Sequence, residues 1–309
     1  LTVTDDNGCT HTTTDSVIVR PNPTAIFTAD TVCVGFNTQF NDLSTIVSPL
    51  GGTITNWDWS FGDPPINGTS ILQHPSYGYQ SFGTFNVELI ITDQYGCMDS
   101  ITNPVIVNPG PIALFTSDTV CEGIATTFTD LSTTVPPLGG PIDTYAWDFG
   151  DGTGTSTLEN PSYTYNQCGT YNVTLTVTDD NGCIHDTTII VNVWCNPIAN
   201  FSATEVCEGF PTTFTNLSTT GGNPSGTINQ WLWDFGDGTG TSTQENPTYT
   251  YNQCGTYSVT LTVTDDNGCT HDTTIIVNVW CNPIASFSSD TVCEGFPTTF
   301  TNLSTTGGN

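Results

Sequence analysis

Residues 178–183 read TDDNGC; the same six letters recur at 264–269 and 4–9, and TDQYGC at 92–97 is a variant. The cysteines that close these segments, Cys9, Cys97, Cys183 and Cys269, are 88, 86 and 86 residues apart. A second series, Cys33, Cys121, Cys207 and Cys293, keeps the same spacing. A period near 86 residues is too long for a solenoid unit, which cannot bury a core by itself, and suits independent domains in a row. The boundaries fall at 23–108, 109–195 and 196–281 for three complete repeats, with a C-terminal fragment at 1–22 and an N-terminal fragment at 282–309. Both ends lie inside a repeat, so the chain is expected to be a segment of a longer protein.

Within a repeat the pattern is strand throughout. TYNVTLTVTDD (170–180) and TTIIVNVW (187–194) are rich in β-branched and aromatic residues and flank a D-N-G turn, which is hairpin chemistry. ATTFTDLS (125–132) alternates apolar and polar residues, as a half-buried strand does. No helical period appears, and Gly, Pro, Asn and Thr break the pattern every ~10 residues, so each repeat is expected to be a β-sandwich of about seven strands. The fold class is all-β.

Charge narrows the partners. Arg20 is the single basic residue against thirty acidic ones, a net charge of -29, which disfavours nucleic acid and anionic membrane surfaces. With 36% hydrophobic residues and seven Trp, the chain is packed rather than disordered. Twelve cysteines without a C-x-x-C or H-E-x-x-H motif point to disulfides and an oxidising compartment, extracellular or at a cell surface. No stretch reaches the length of a transmembrane helix.

The stretch AWDFGDGTGTSTLENPSYTYNQCGTYNVTLTVTDDNG (146–182) is similar to the core of the PKD (polycystic kidney disease) domain family, with its W-D-F-G-D-G, Pro-x-x-x-Tyr and G-T-Y-x-V-x-L-x-V segments and D-x-x-G turn. The resemblance covers nearly all of each repeat. It implies immunoglobulin-like sandwiches in tandem, used in bacterial extracellular proteins as spacers or interaction modules. The first repeat departs from it, reading WSFGDPP at 59–65 with Ser60 at the first aspartate. In such a sandwich Trp147 and Phe149 alternate inward, Asp148 points outward, and Asp151-Gly152 forms the following bend, where Asp bonds nearby amides. The repeated aspartates are therefore expected to shape a turn, not to carry chemistry.

Two cysteines, Cys168 and Cys195, appear in the second repeat and again as Cys254 and Cys281 in the third, while the first repeat has Phe82 and Pro109 there. Gained together, they are expected to pair as Cys168–Cys195 and Cys254–Cys281. Cys33 and Cys121 fall at the far pole of their repeats, Cys97, Cys183 and Cys269 at the near pole, about ten extended residues or ~33 Å away. A disulfide needs α-carbons within ~7 Å. Consecutive repeats abut with almost no linker, so Cys33–Cys183 and Cys121–Cys269 are expected to bridge neighbours; the rival pairing stays inside a repeat, Cys33–Cys97 and Cys121–Cys183. Prolines 21, 23, 109, 111, 197 and 283 restrict the joints further, and Trp194 and Trp280 close either the core or the joint. The expected product is a rod.

Other chemistry is weaker. His11, His185 and His271 recur as Cys-x-His, but a disulfide removes the thiolate a metal would need. No catalytic constellation emerges, and the chain does not read as an enzyme; it requires no cofactor. Glu122 with Asp265, Asp266 and Asn267 is a candidate calcium site if the second joint is bridged. The triplet Asp-Ser/Thr followed by an aliphatic residue or Thr resembles a bacterial O-glycan acceptor and marks Ser16, Thr31, Ser100, Thr119, Thr187, Thr273 and Thr291. N-linked sequons begin at Asn67, Asn172, Asn200, Asn216 and Asn302. The function expected is structural, a segment of a fibre, stalk or filament whose partners are further repeats, other copies and surface glycan; the alternative is an array of modules binding polysaccharide or protein.

Overall fold

The structure, a computed structural model, describes residues 1–47 and 50–307. Among the described residues the regular elements are all strands. The chain divides into two compact bodies: Leu1–Leu114 with Ser132–Tyr145 and Thr176–Asp186, and Phe115–Leu131 with Ala146–Leu175 and Thr187–Asn309. The first body holds the whole first repeat and the second the whole third repeat, so each can be followed within one body.

The first repeat is two antiparallel-dominated sheets. One has three strands in the order Phe27–Ala29, Asn37–Asp42, Ser76–Gly78; the other has five, Val32–Cys33, Met98–Asn108, Gly83–Asp93, Ile54–Ser60, Thr69–Ser70. The third repeat has the same arrangement, from Phe201–Ala203 to Thr270–Trp280. Eight strand segments replace the expected seven because the first strand breaks. Phe27–Ala29 pairs antiparallel with Asn37–Asp42, whereas Val32–Cys33 has crossed to the other sheet and pairs parallel with the last strand, Val32 opposite Val107 and Cys33 opposite Asn108. A two-residue strand has no period to read, so the sequence shows one strand where the fold makes two.

Alternation decides the core. In Gly83–Asp93 the buried residues are Val87, Leu89, Ile91 and Asp93, at period two. They pack on Phe27, Phe40, Trp59, Phe61 and Tyr79, and the third repeat repeats this set with Phe201, Phe214, Trp233, Phe235 and Tyr251. Aromatic contacts run through it: Phe201 meets the edge of Trp233 at 4.9 Å, and Phe235 stacks on Tyr249 at 4.2 Å. The indole N–H of Trp233 donates to the Gln244 carbonyl at 2.9 Å, so the largest core residue carries no orphaned polar group. Trp194 and Trp280 fall on the outward phase of their strands, between buried Val193 and Cys195 in one case and after Val279 in the other. They are not core residues. Trp194 is half-buried and Trp280 is exposed.

The W-D-F-G-D-G segment is a bend, as its composition requires. Trp147 and Phe149 are buried, and Asp148 is exposed with its Oδ1 accepting the Gly150 amide at 2.9 Å. The glycine after Phe turns left-handed, φ 75° at Gly236, and runs so close to the neighbouring strand that a Cβ there would lie 2.4 Å from the Ser258 carbonyl oxygen. Both constraints demand glycine. Gly236→Ala should destabilise the third repeat by more than ~1 kcal/mol in chemical denaturation followed by Trp fluorescence; an unchanged midpoint would refute this account of the turn.

Candidate functional site: the repeat joints

The sequence places its unusual residues at the poles of the repeats, and those poles meet in two joints. The first joint lies within the first body. Cys33 has been carried by the sheet switch to the end of the last strand of its repeat, and Cys183 stands on the Asp-x-x-Gly turn of the next. That turn is built by Asp179, whose Oδ1 accepts the amides of Asn181 and Cys183 at 3.1 and 2.8 Å, while Gly182 takes φ 79° and donates to the Asp179 carbonyl. Cys33 and Cys183 are disulfide-bonded with α-carbons 5.6 Å apart, and Cys183 is buried. Cys121 and Cys269 repeat this bond within the second body, again at 5.6 Å. The structure thus holds the bridging pairs and neither of the rival pairs within a repeat. Cys9, Cys97, Cys207 and Cys293 are unbonded.

The second joint has more parts. Cys168–Cys195 and Cys254–Cys281 are bonded with α-carbons 4.7 Å apart, tying the start of the penultimate strand to the end of the last. A 27-residue loop closed this way is worth about 3–4 kcal/mol in the chain-entropy model. Glu122 lies across the same end. Its Oε2 accepts the Cys168 amide at 3.0 Å, its Oε1 accepts the Asn196 amide at 3.1 Å, and its own amide donates to the Trp194 carbonyl at 2.8 Å. Glu208 makes the same set with Cys254, Asn282 and Trp280. From the following repeat, Pro224 accepts the Cys195 amide at 2.8 Å, and a Cβ on Gly221 would stand 1.9 Å from the Asn196 carbonyl oxygen. Gly221 is therefore fixed by close approach to the linker.

The residues of the calcium reading have backbone partners in the structure. Glu122 accepts backbone amides on both carboxylate oxygens, that of Cys168 in its own repeat and that of Asn196 at the start of the next. Asp265 gives Oδ1 to the amides of Asn267 and Cys269 and Oδ2 to that of Gly226, and Asp266 accepts the Thr227 amide. Among the described residues no three His, Cys, Asp or Glu side chains gather as a metal group. Five carboxylate oxygens of this group thus accept backbone amides.

The Cys-x-His histidines also have a use. His185 Nδ1 accepts the Ala113 amide at 3.1 Å and His271 Nδ1 that of Ala199 at 3.0 Å; in the first repeat Asp99 Oδ2 takes the Ala25 amide at 2.8 Å. These bonds fasten the entering chain to the last strand of the same repeat. His271→Ala leaves the amide of buried Ala199 unpaired and should cost about 1–2 kcal/mol in urea unfolding. His271→Asp should recover most of it, since Asp99 already fills the role; equal losses for both variants would refute it.

The first joint lacks the clasp. Val34 replaces the glutamate and Phe82 the cysteine, and with Pro109, Gly110 and Pro111 they line a cavity of about 330 Å³. Sequence reasoning missed the glutamate's role, although a signal existed: Glu, the extra cysteine pair and the Asn after the second cysteine occur together in repeats two and three and are absent together in repeat one.

The second aspartates of the W-D-F-G-D-G bends, Asp151 and Asp237, are held well below the ordinary carboxylate range. Asp237 is held at about 2, first by the Tyr249 hydroxyl, which donates to Oδ2 at 2.5 Å, then by the Gly240 and Thr239 amides. Asp151 is matched by Tyr163, and both tyrosines are raised in return. Since the folded value lies below the ordinary 3.8, the stabilisation is complete above about pH 4 and lost as pH falls toward 2. Asp237→Asn should lower stability at pH 7 and flatten its decline between pH 4 and 2; an unchanged acid limb would contradict the pairing.

Of the glycan-acceptor hydroxyls, Ser16, Thr31, Ser100, Thr119 and Thr291 are exposed, whereas Thr187 and Thr273 are half-buried on the last strands. Asn67, Asn172, Asn200 and Asn302 are exposed, and Asn216 is half-buried.

Residues 18–107, 108–193 and 194–281 each match the PKD domain family. A pre-pro-metalloprotease PrtV of Vibrio cholerae is 45% identical over 84 residues, 26% of this chain and 8% of that protein. A microbial collagenase of Vibrio alginolyticus is 52% identical over 58 residues, 19% of this chain and 7% of that protein. The chain thus spans less than a tenth of these relatives. Among solved structures, the PKD1 domain of the Vibrio cholerae metalloprotease PrtV is 40% identical, covering 27% of this chain and 96% of the domain, with a TM-score of 0.24. With three consecutive matches over most of its length, the chain belongs to the PKD domain family.

Proposed function

We propose that this tandem PKD array is a structural segment of a long bacterial fibre, stalk or filament outside the cytoplasm. The observation that carries the reading is that both joints between complete repeats are closed by a disulfide between neighbours. A flexible string of binding modules has no need of such bonds, because one anchored end already holds every module near its target. Disulfides persist in oxidising compartments, which supports an extracellular or cell-surface place. No helix among the described residues is long and apolar enough to cross a membrane. The net charge of -29 keeps the array soluble and repels phosphate backbones. The one cation, Arg20, lies 3.5 Å over the Tyr95 ring with its guanidinium donating to the Leu50 carbonyl, so it serves packing and is not offered to an anionic substrate. This supports a non-catalytic role. Partners on this reading are further repeats, other copies side by side, and glycan on the exposed hydroxyls.

The second reading is an array of modules attached to a hydrolase or an adhesin tip, and the presence of PKD repeats in relatives named as a metalloprotease and a collagenase favours it. Electron microscopy of the oxidised and reduced chain separates the two. The structural reading expects a constant angle between neighbouring repeats when oxidised and a broad spread after reduction. Freely swinging repeats with the disulfides intact would sink it.

A further inference from the structure

The joint disulfides create covalent routes through the array that avoid most of the chain. Cys33–Cys183 closes a loop of 150 residues and Cys121–Cys269 one of 148, and the loops overlap between Cys121 and Cys183. Residues 9–33 run along the last strand of one repeat, across a linker and up the first strand of the next; the disulfide then passes to Cys183, and residues 183–207 repeat the course. A second track runs from Cys97 to Cys121, across the disulfide to Cys269 and on to Cys293. At the first joint one track crosses by disulfide and the other by peptide bond, and at the second joint they exchange roles.

We infer that these two tracks carry tension along the array and leave the inner strands of the second repeat out of the load. This deepens the structural reading and rests on it for its biological sense. The physical ground is that the tracks are already extended. Residues 183–207 include the strands Ile184–Trp194, Phe201–Ala203 and Val206–Cys207. A strand rises ~3.3 Å per residue, and a chain cannot exceed ~3.6 Å. A pull along the tracks therefore meets polypeptide with little slack. In an unlinked array a yielding domain releases its whole contour; here the strands Ala125–Asp130, Ile142–Asp148 and Gly169–Asp179 lie inside both loops and can add nothing to the length while either bond holds. The placement of the cysteines does this. Each stands at the junction of a first or last strand with a pole, which gives the shortest covalent passage through a repeat, and a cysteine on any inner strand would leave slack.

Single-molecule pulling of the full chain between its ends, with Cys9, Cys97, Cys207 and Cys293 alkylated, tests this. The overlap of the loops makes the outcome non-additive. C121S alone should release no length, because the Cys33–Cys183 route remains. C33S alone should release ~100 Å, because the second loop still bypasses the middle, and C33S with C121S should release ~400 Å. Reductant added to the unaltered chain should give at least the gain of the double variant, which guards against variants that fail to fold. Additive gains from the single variants, or full extension without reductant, would overturn the inference. The measurement counts contour and not angles. A short path in a chain whose repeats swing freely would remove the fibre reading and leave the tracks standing.

Discussion

The break in the first strand of each repeat is the constraint on which the joints depend. Had Phe27–Cys33 continued as one strand beside Asn37–Asp42, Cys33 would have stayed on the three-stranded sheet. The crossing at Asp30–Thr31 instead places Val32 and Cys33 in parallel register with the end of the last strand, so the cysteine reaches the pole from which the chain leaves the repeat. The same crossing puts Cys121 opposite Trp194 and Cys207 opposite Trp280. At the other pole, the Asp-x-x-Gly turn fixes its cysteine through two backbone amides on one carboxylate. A disulfide tolerates only a narrow range of α-carbon separations. Both partners must therefore be set rigidly by their own repeats before the bond can form without strain.

The two joints reach the same bond through different surroundings. In the second, a carboxylate that would be costly to bury unpaired accepts two amides and ties the end of the last strand to the turn before the penultimate one. The nearby disulfide fixes the same two segments covalently. In the first, proline takes the place of the second cysteine and the restriction comes from Pro109 and Pro111, with an apolar cavity where the clasp would be. Glu, Cys, Cys and Asn form one unit of chemistry, because the carboxylate needs both the Cys168 and Asn196 amides at hand and the disulfide holds them there. Losing one member would leave the others less well satisfied, which gives a physical reason for their appearing and vanishing together.

What could be read in the sequence was what is local or periodic. Trp147 and Phe149 alternate across Asp148, and Asp151 bonds amides two and three residues on, so the bend was legible from six letters. The pairing of Cys33 with Cys183 was legible because ~33 Å of extended strand separates the poles of one repeat, which leaves the neighbour as the nearer partner. The role of Glu122 at the joint is not legible, because its amide partners lie 46 and 74 residues away, and nothing in a charge run tells whether a carboxylate faces solvent, a cation or an amide. The partner of His271 is not legible either, since Ala199 shows no mark of needing an acceptor. Trp194 can face either way on sequence alone; the buried Val191, Val193 and Cys195 fix its phase only once the strand end is known.

The stabilising effect of the joint bonds differs in kind from that of the bonds within a repeat. Cys254–Cys281 closes 27 residues inside one sandwich and restricts the unfolded form of that sandwich directly. Cys121–Cys269 closes 148 residues that include most of two sandwiches, each with its own aromatic core. A domain that opens alone keeps its neighbour folded, so the long loop confines it only through the fixed distance between its two attachment points. For the third repeat those points are Cys121 and Cys195, which stand at one joint because Cys121 pairs with Trp194, so residues 196–269 open as a closed loop. Refolding of that loop then begins with its two ends already held together.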